Sequence, residues 1–195
     1  MTPILVILIL LLIYYIYITY NNNHVSVKHE EIEYMVLYKY PDFDVAAVKL
    51  ANLNEFVLTF MKHLKSKHKV NLFEQTGPEY VFNLLSNFRS DTLKETDPNN
   101  IIGLTSYTFV DGRLISVCLR DKTGKFINDM MLKFVILHEL AHQCKAIDGH
   151  SDEFWQIFKF LLKEAEEIGY ESINYKKYPE TYVSIMVDFN PRYDL

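Results

Sequence analysis

The chain has 195 residues, a formal charge of −5, and a globular composition that is 49% hydrophobic and 23% charged. This length predicts one domain with a sizeable core, and fourteen Tyr and thirteen Phe exclude a disordered chain. The negative charge gives nucleic-acid binding no support, and two cysteines, Cys118 and Cys144, are too few for a disulfide framework, so we interpret both as small buried residues.

The first predicted element is an apolar segment at residues 1–20. Residues 3–18 carry no charge, and a helix of about 18 residues just spans a hydrocarbon core of ~30 Å. The tyrosines at the end of the segment suit a membrane interface, and the basic n-region and small-residue cleavage site of a signal peptide are missing. We therefore predict a membrane localisation through a single-pass N-terminal transmembrane helix. The sequence does not indicate on which side of the membrane the domain lies.

A polar stretch at residues 21–35 predicts a stalk between this anchor and a domain at residues 36–195. The domain begins with an amphipathic helix over residues 42–68, in which apolar residues recur at helical spacing. The helix ends in a basic run: Lys62, His63, Lys65, Lys67, His68 and Lys69. We interpret this run as a solvated helix end that complements the macrodipole, with a phosphate-binding patch as the alternative.

Shorter elements follow. In chain order they are a helix (79–89), a loop rich in Asp, Asn, Thr and Pro (91–100), two strand-like runs (104–110 and 113–120) and a turn (121–125). Asp111-Gly112 between the two strand-like runs is typical of a β-hairpin. Residues 114–119 of the second run either present an exposed edge on which an extended peptide can align, or have a purely structural role.

The next predicted helix, at residues 130–144, is apolar nearly all round and is therefore expected to be buried. Asn128 suits its N-cap, and Asp129 adds an acid to its first turn. Ser151 is expected to cap another helix that runs to residue 168. A short strand is predicted at residues 183–187.

The sequence HELAH at residues 138–142 lies inside the buried helix. Residues four apart share one face of a helix, so His138 and His142 are placed to bind one Zn²⁺. Glu139 can reach a water held by the metal and act as its general base without being a ligand. Two core histidines matching by chance are disfavoured, because burying unpaired His and Glu costs roughly several kcal/mol.

Zinc requires a third protein ligand, and the residues leave several candidates. His150 follows the motif closely and precedes the Ser151 cap. Asp148 has the spacing of the metzincin third ligand, although Lys145 stands where that pattern has Gly. Glu164 or Glu167 on the next helix would resemble the carboxylate ligand of thermolysin-like enzymes.

The motif and its surroundings resemble the WLM family of zinc metallopeptidases, which are relatives of the SprT/Spartan proteases. Residues 113–120 resemble the family's IRLR-like strand, residues 126–142 its HELAH helix, and His150-x-x-x-Phe154-Trp155 its last motif. Many clans share HExxH, whereas its combination with His-x-x-x-Phe-Trp is much more specific. The resemblance covers a little over a third of the chain and implies His150 as the third ligand.

The resemblance implies a fold and an activity. We expect an α+β, zincin-like metallopeptidase domain with a small antiparallel sheet and an HExxH active-site helix, preceded by the transmembrane helix. We expect a zinc endopeptidase acting on proteins or peptides, with His138, His142 and His150 as ligands and Glu139 as general base. Known members cleave proteins crosslinked to DNA, and some act on ubiquitin-like conjugates. The anchor and the lack of an obvious partner-binding tail lead us not to carry over the role in DNA repair.

Two alternatives remain at this point. One is an inactive, metal-stabilised binding domain presented at a membrane, which the intact Glu139 disfavours because a structural site does not need it. The other is a DNA-dependent peptidase acting on DNA-bound proteins, which the basic run keeps open and the acidic charge disfavours. The residue that stabilises the oxyanion is not identified; Tyr175, Tyr178 and Tyr182 are candidates, each more typical of a core position.

Overall fold

The computed structural model describes residues 3–21, 23–100, 103–109, 111–145 and 149–195. Within these residues the chain forms six helices and seven strands. The helices are α1 (Pro3–Asn21), α2 (Phe43–Lys67), α3 (Glu79–Asn87), α4 (Asp129–Cys144), α5 (Asp152–Glu166) and α6 (Pro191–Asp194). The strands are β1 (His24–His29), β2 (Ile32–Leu37), β3 (Leu93–Glu95), β4 (Ser106–Thr108), β5 (Ile115–Val117), β6 (Glu180–Tyr182) and β7 (Ile185–Val187).

Five strands form one mixed sheet in the order β1-β2-β3-β5-β4, and β6 and β7 form a separate antiparallel pair. β1 pairs antiparallel with β2, and β4 with β5, whereas β3 runs parallel to both of its neighbours. The architecture is α+β, but the predicted small antiparallel sheet is wrong. The sheet is mixed because β3 runs parallel to its neighbours, and β3 lies in the stretch 91–100 where the sequence predicted a loop. Its three residues are too few to show the alternation of apolar and polar residues that marks a strand.

The β1–β2 hairpin occupies residues 24–37, where the sequence predicted a stalk between anchor and domain. Six residue pairs join the strands, from His24 opposite Leu37 to His29 opposite Ile32. β2 packs against α2, so Tyr34 and its neighbours on that face are buried in the core. Much of the region predicted as a stalk is therefore part of the folded sheet.

The transmembrane helix predicted at residues 1–20 is wrong. Among the described residues, no helix combines the length and the apolar content that crossing a bilayer requires. The unbroken apolar run of α1, residues 4–13, extends about 15 Å at ~1.5 Å per residue, which is half of a hydrocarbon core of ~30 Å. The tyrosine-rich part of α1 follows that run. Without a membrane-spanning helix among the described residues, the predicted membrane localisation and single-pass anchor are not supported.

A buried arginine connects the sheet to α2. Arg120 is 1% exposed; its Nε lies 3.2 Å from a carboxylate oxygen of Glu95, and its Nη2 lies 3.0 Å from one of Asp42. The guanidinium carbon also lies 3.7 Å from the ring centroid of Phe126. Glu95 accepts a further hydrogen bond from the backbone amide of Leu37, at 2.8 Å. The network fixes β3, β2 and the start of α2 relative to one another.

The hairpin predicted around Asp111-Gly112 is confirmed. β4 and β5 pair antiparallel through three residue pairs. Gly112 has a φ of +69°, and a Cβ atom there would lie 1.8 Å from the backbone oxygen of Asn87. This turn therefore requires glycine both for its conformation and for its close approach to the end of α3.

α4 is the central helix, and its predicted burial is confirmed. Asn128 caps it by accepting a hydrogen bond from the amide of Met131 at 2.8 Å. The helix packs against α2, α3, α5, β4 and β5, and most of its side chains are buried. Cys144 at its end and Cys118 are buried free thiols, as predicted, and burial raises the pKa of both.

Candidate metal centre

Three imidazoles converge beside α4. His138 and His142 lie one turn apart on that helix, and His150 approaches from the segment just before α5. The Nε2 atoms of His138 and His150 are 2.9 Å apart. One ring nitrogen from each of the three residues lies within 4.8 Å of the others. The structure therefore brings together the three histidines that the sequence singled out.

The other ligand candidates are placed differently. Glu164 and Glu167, near the C-terminal end of α5, lie beside His63 and Lys67 in a separate cluster. Asp148 lies outside the described residues. Of the third-ligand candidates that the structure describes, His150 is the one beside the HExxH pair.

The environment keeps the three imidazoles neutral. Burial, followed by the charges of His142 and His150, lowers the pKa of His138 to about 3. Burial and the charge of His150 lower the pKa of His142 to about 4, and burial also lowers the pKa of His150. A neutral imidazole offers the nitrogen lone pair that a metal requires.

The donor set fits a divalent transition metal. Neutral imidazole nitrogen suits zinc, copper, iron and nickel. Bonds of ~2.0–2.1 Å in a tetrahedral site place ligand nitrogens ~3.3 Å apart, close to the 2.9 Å between His138 and His150. Two neutral imidazoles at that distance either share one hydrogen bond, with one ring in its Nε2–H tautomer, or both direct a lone pair at a cation between them. The residues present therefore fit a metal.

Aromatic side chains from α5 enclose the three rings. The Phe154 ring lies 4.3 Å from that of His142 in a stacked arrangement, 4.9 Å from His138 and 4.7 Å from His150. Trp155 lies 5.3 Å from His150. The hydroxyl of Ser151 caps α5 by accepting from the amide of Phe154, which sets the direction of this first turn. The Phe-Trp pair of the last motif thus packs directly on the proposed ligands.

Glu139 lies next to the imidazoles, buried with 4% of its surface exposed, and it lines the same cleft. Burial raises the pKa of Glu139 to about 7, and a hydrogen bond with the Ser106 side chain acts in the opposite direction. An ionised carboxylate only accepts, so the Ser106 hydroxyl donates this bond. Sequence reasoning missed Ser106, because it comes from β4 and carries no motif.

A cleft of about 510 Å³ opens over the histidines. One wall is β4, the floor is α4, and the far wall is the β6–β7 hairpin. Its lining includes Ser106, Thr108, Phe134, Val135, Ile185 and Val187. The volume falls in the usual range of ligand sites, about 300–1,000 Å³.

The edge strand of the sheet that lies beside the cleft is β4. The sequence left open whether residues 114–119 form such an edge or are purely structural, and β5 from that run is paired on both sides, with β3 and β4. Backbone bonds link Cys118 to Thr105 and Phe109 to Leu114. Hydrogen-bonded and non-hydrogen-bonded residue pairs alternate along an antiparallel ladder. Because Thr105 and Phe109 bond to β5, the backbone N–H and C=O groups of Ser106 and Thr108 point away from β5, toward the cleft.

The three tyrosines considered for the oxyanion differ in position. Of these, Tyr182 lines the cleft, but its hydroxyl already accepts from the Cys118 amide at 2.9 Å and donates to the Thr105 carbonyl at 3.1 Å. Tyr175 is buried, and Tyr178 is 58% exposed. The oxyanion role of these residues stays a prediction.

A buried HExxH helix, three converging imidazoles and an edge strand along one cleft are typical of metallopeptidase-like domains. The WLM domain family model matches residues 30–185, and the chain belongs to this family. The match extends well beyond the motifs, from the β1–β2 turn to the start of β7.

Two viral proteins are similar to this chain. It is 32% identical over 124 residues to an uncharacterized protein of Acanthamoeba polyphaga mimivirus, which covers 63% of this chain and 61% of that protein. It is 42% identical over 67 residues to an uncharacterized protein of Invertebrate iridescent virus 3, covering 33% and 41% respectively. The chain thus spans less than two thirds of either relative. No solved structure matches it.

Proposed function

We propose that this chain is a zinc-dependent endopeptidase in which His138, His142 and His150 hold the metal and Glu139 is the general base. The observation that carries the proposal is the convergence of three neutral imidazoles beside a buried carboxylate in a cleft. When bound, Zn²⁺ supplies a Lewis acid that acidifies a water molecule and polarises a peptide carbonyl.

The number of candidate protein ligands supports a catalytic zinc site rather than a structural one. Structural zinc sites use four protein ligands, whereas catalytic sites use three and keep one position open. Among the described residues the group beside α4 contains three candidate ligands, His138, His142 and His150. No thiol belongs to the group, and three imidazoles are a known catalytic set for zinc.

Glu139 is suited to move a proton during hydrolysis. A carboxyl whose pKa lies near neutral pH can both take a proton from the attacking water and return it to the leaving amine. Burial raises the pKa of Glu139 to about 7, and the Ser106 hydroxyl donates a hydrogen bond to its carboxylate. Glu139 is offset by one residue from His138, so it reaches the open side of the rings and need not bind the metal itself.

The cleft supports an extended peptide as substrate. The backbone groups of Ser106 and Thr108 on the outer side of β4 can pair with an added strand, which would place a peptide carbonyl above the histidines. The wall of Val135, Ile185 and Val187 is apolar. We therefore expect a preference for an apolar side chain next to the cleaved bond.

The test is cleavage of casein and of a mixed peptide library by the full chain, with zinc and with a chelator. Glu139→Gln keeps the size of the side chain and removes the base, so activity is expected to fall at least about 1,000-fold. Glu171→Gln, at an exposed glutamate, is the matched control and is expected to keep full activity. Cleavage that survives in Glu139→Gln, or that the chelator leaves unchanged, would overturn the proposal.

A further inference from the structure

A second cluster of ligand-type side chains joins the C-terminal ends of α2 and α5. His63 comes from α2, and Glu164 and Glu167 come from the end of α5. The His63 Nε2 atom lies 3.1 Å from Oε2 of Glu164 and 3.6 Å from Oε2 of Glu167. These donor atoms all lie within 4.8 Å of one another. At ~1.5 Å per residue, Glu164 lies roughly 18 Å along α5 from its start, which is the end that carries His150.

Lys67 orients the two carboxylates. Its Nζ lies 2.9 Å from Oε1 of Glu164 and 2.6 Å from Oε1 of Glu167. Each carboxylate therefore presents Oε1 to the ammonium and Oε2 to His63, and the Nε2 atom of His68 also lies 3.3 Å from Oε2 of Glu164. One nitrogen of His63 and one oxygen of each carboxylate are thus held within 4.8 Å of one another.

The geometry and the charge of this group suit a dication. Zinc bonds of ~2.0–2.2 Å place tetrahedral ligand atoms ~3.3–3.6 Å apart, and the two measured edges are 3.1 and 3.6 Å. Two carboxylates and one ammonium leave a net charge of −1 before His63 and His68, which also face Glu164, are counted. A net negative charge of this kind favours a cation.

We propose that His63, Glu164 and Glu167 form a second binding site for a divalent transition metal of the zinc type, distinct from the centre on α4. Mixed imidazole and carboxylate ligands are typical of such ions. The site is accessible, because Glu167 is half exposed. A metal there pins α2 to α5, the helix that packs Phe154 and Trp155 on the active-site rings.

Lys67 separates this proposal from a metal-free ion-pair cluster. If the cluster is only an ion pair, Lys67→Met removes its cation and destabilises the protein whether zinc is present or not. If the cluster binds metal, Lys67→Met removes a positive charge near the ion. A unit charge about 5 Å from a dication at the dielectric constant of water is worth roughly 10-fold in affinity, so zinc binding at this site tightens by about that factor.

The test is the zinc content of the full chain after equilibrium dialysis against a series of buffered free-zinc concentrations. The wild type is expected to bind two zinc ions, and His63→Ala and Glu167→Gln one. Glu166→Gln is the matched control on the same turn of α5; Glu166 pairs with Arg192, so this variant should still bind two. His150→Ala removes a ligand of the other centre and should leave the second site filled, which keeps the two sites distinguishable.

Three results would overturn the proposal. They are a His63→Ala variant that binds as many zinc ions as the wild type, a His150→Ala variant that binds none, and a Lys67→Met variant that is destabilised to the same extent with and without zinc. Each measurement is independent of peptidase activity. A failure of the proposed catalytic function therefore leaves this result readable.

Discussion

Replacing Arg120 with Met removes the guanidinium that faces Glu95 and leaves that carboxylate buried without its cation. Glu95 is fully buried and keeps its hydrogen bond from the Leu37 amide. Removing one partner of a buried ion pair typically costs about 3–5 kcal/mol in free energy of unfolding. For a chain of this size, roughly 2–4 °C per kcal/mol gives a fall in Tm of about 6–20 °C.

The pH dependence of this loss is a second readout. Burial raises the pKa of Glu95, while the Leu37 amide and Arg120 lower it, so Arg120→Met raises it further. An acid whose pKa is raised in the folded state favours the protonated form, so its contribution to stability is present at low pH and is lost as the pH rises through the folded-state pKa. The deficit against wild type should therefore be smaller at about pH 5 than at about pH 8.

Urea unfolding of wild type, Arg120→Met and the double variant Arg120→Met/Glu95→Gln measures these effects. The neutral amide of Gln needs no cation and can still accept from Leu37, so the double variant should recover a large part of the loss. A loss below about 1 kcal/mol in Arg120→Met, or a double variant no more stable than the single one, would show that Arg120 does not stabilise the fold by pairing with Glu95.

Three further predictions concern the site and the turn beside it. Ser106→Ala removes the hydroxyl that donates a hydrogen bond to Glu139, so kcat in the peptide assay should fall about 5- to 10-fold with KM unchanged. Ser106→Thr should restore kcat, and an unchanged kcat in Ser106→Ala would exclude this positioning role. Gly112→Ala forces a Cβ against the Asn87 carbonyl, so it should lower the free energy of unfolding by more than the roughly 1 kcal/mol expected for Gly169→Ala, where no atom lies within 4 Å. Equal decreases for the two variants in thermal unfolding would contradict the clash. Chelation should lower the free energy of unfolding by about 2.7 kcal/mol relative to zinc at 100 times its Kd, and a Tm that is insensitive to zinc would contradict metal binding.

The sequence is informative about the site because the chemistry lies on one helix and the turn that follows it. The HExxH spacing predicts which residues share a face of α4, and the helix caps Asn128 and Ser151 are read directly from residue type. His150 needs the family resemblance, since spacing alone leaves carboxylate alternatives. Ser106 is invisible to this reasoning, because only the register of β4 brings it to Glu139.

The sheet was harder to predict for a physical reason. β3 is three residues long and gains its place from pairing on both sides, so no local pattern marks it. The β1–β2 hairpin resembles a stalk in sequence because its strands carry polar residues on the exposed face. The edge strand beside the cleft is also not predictable from the sequence alone: β5 is the more apolar strand and lies inside the sheet, whereas β4 lies at its edge.

Anomalous diffraction at the zinc edge from crystals of the zinc-loaded full chain would locate the metal itself. We expect an anomalous peak with ring nitrogens of His138, His142 and His150 each about 2.0–2.1 Å away, and with Glu139 outside bonding distance. A peak that lacks one of the three imidazoles, that is bound by Glu139, or that is absent from this position would contradict the proposed metal site.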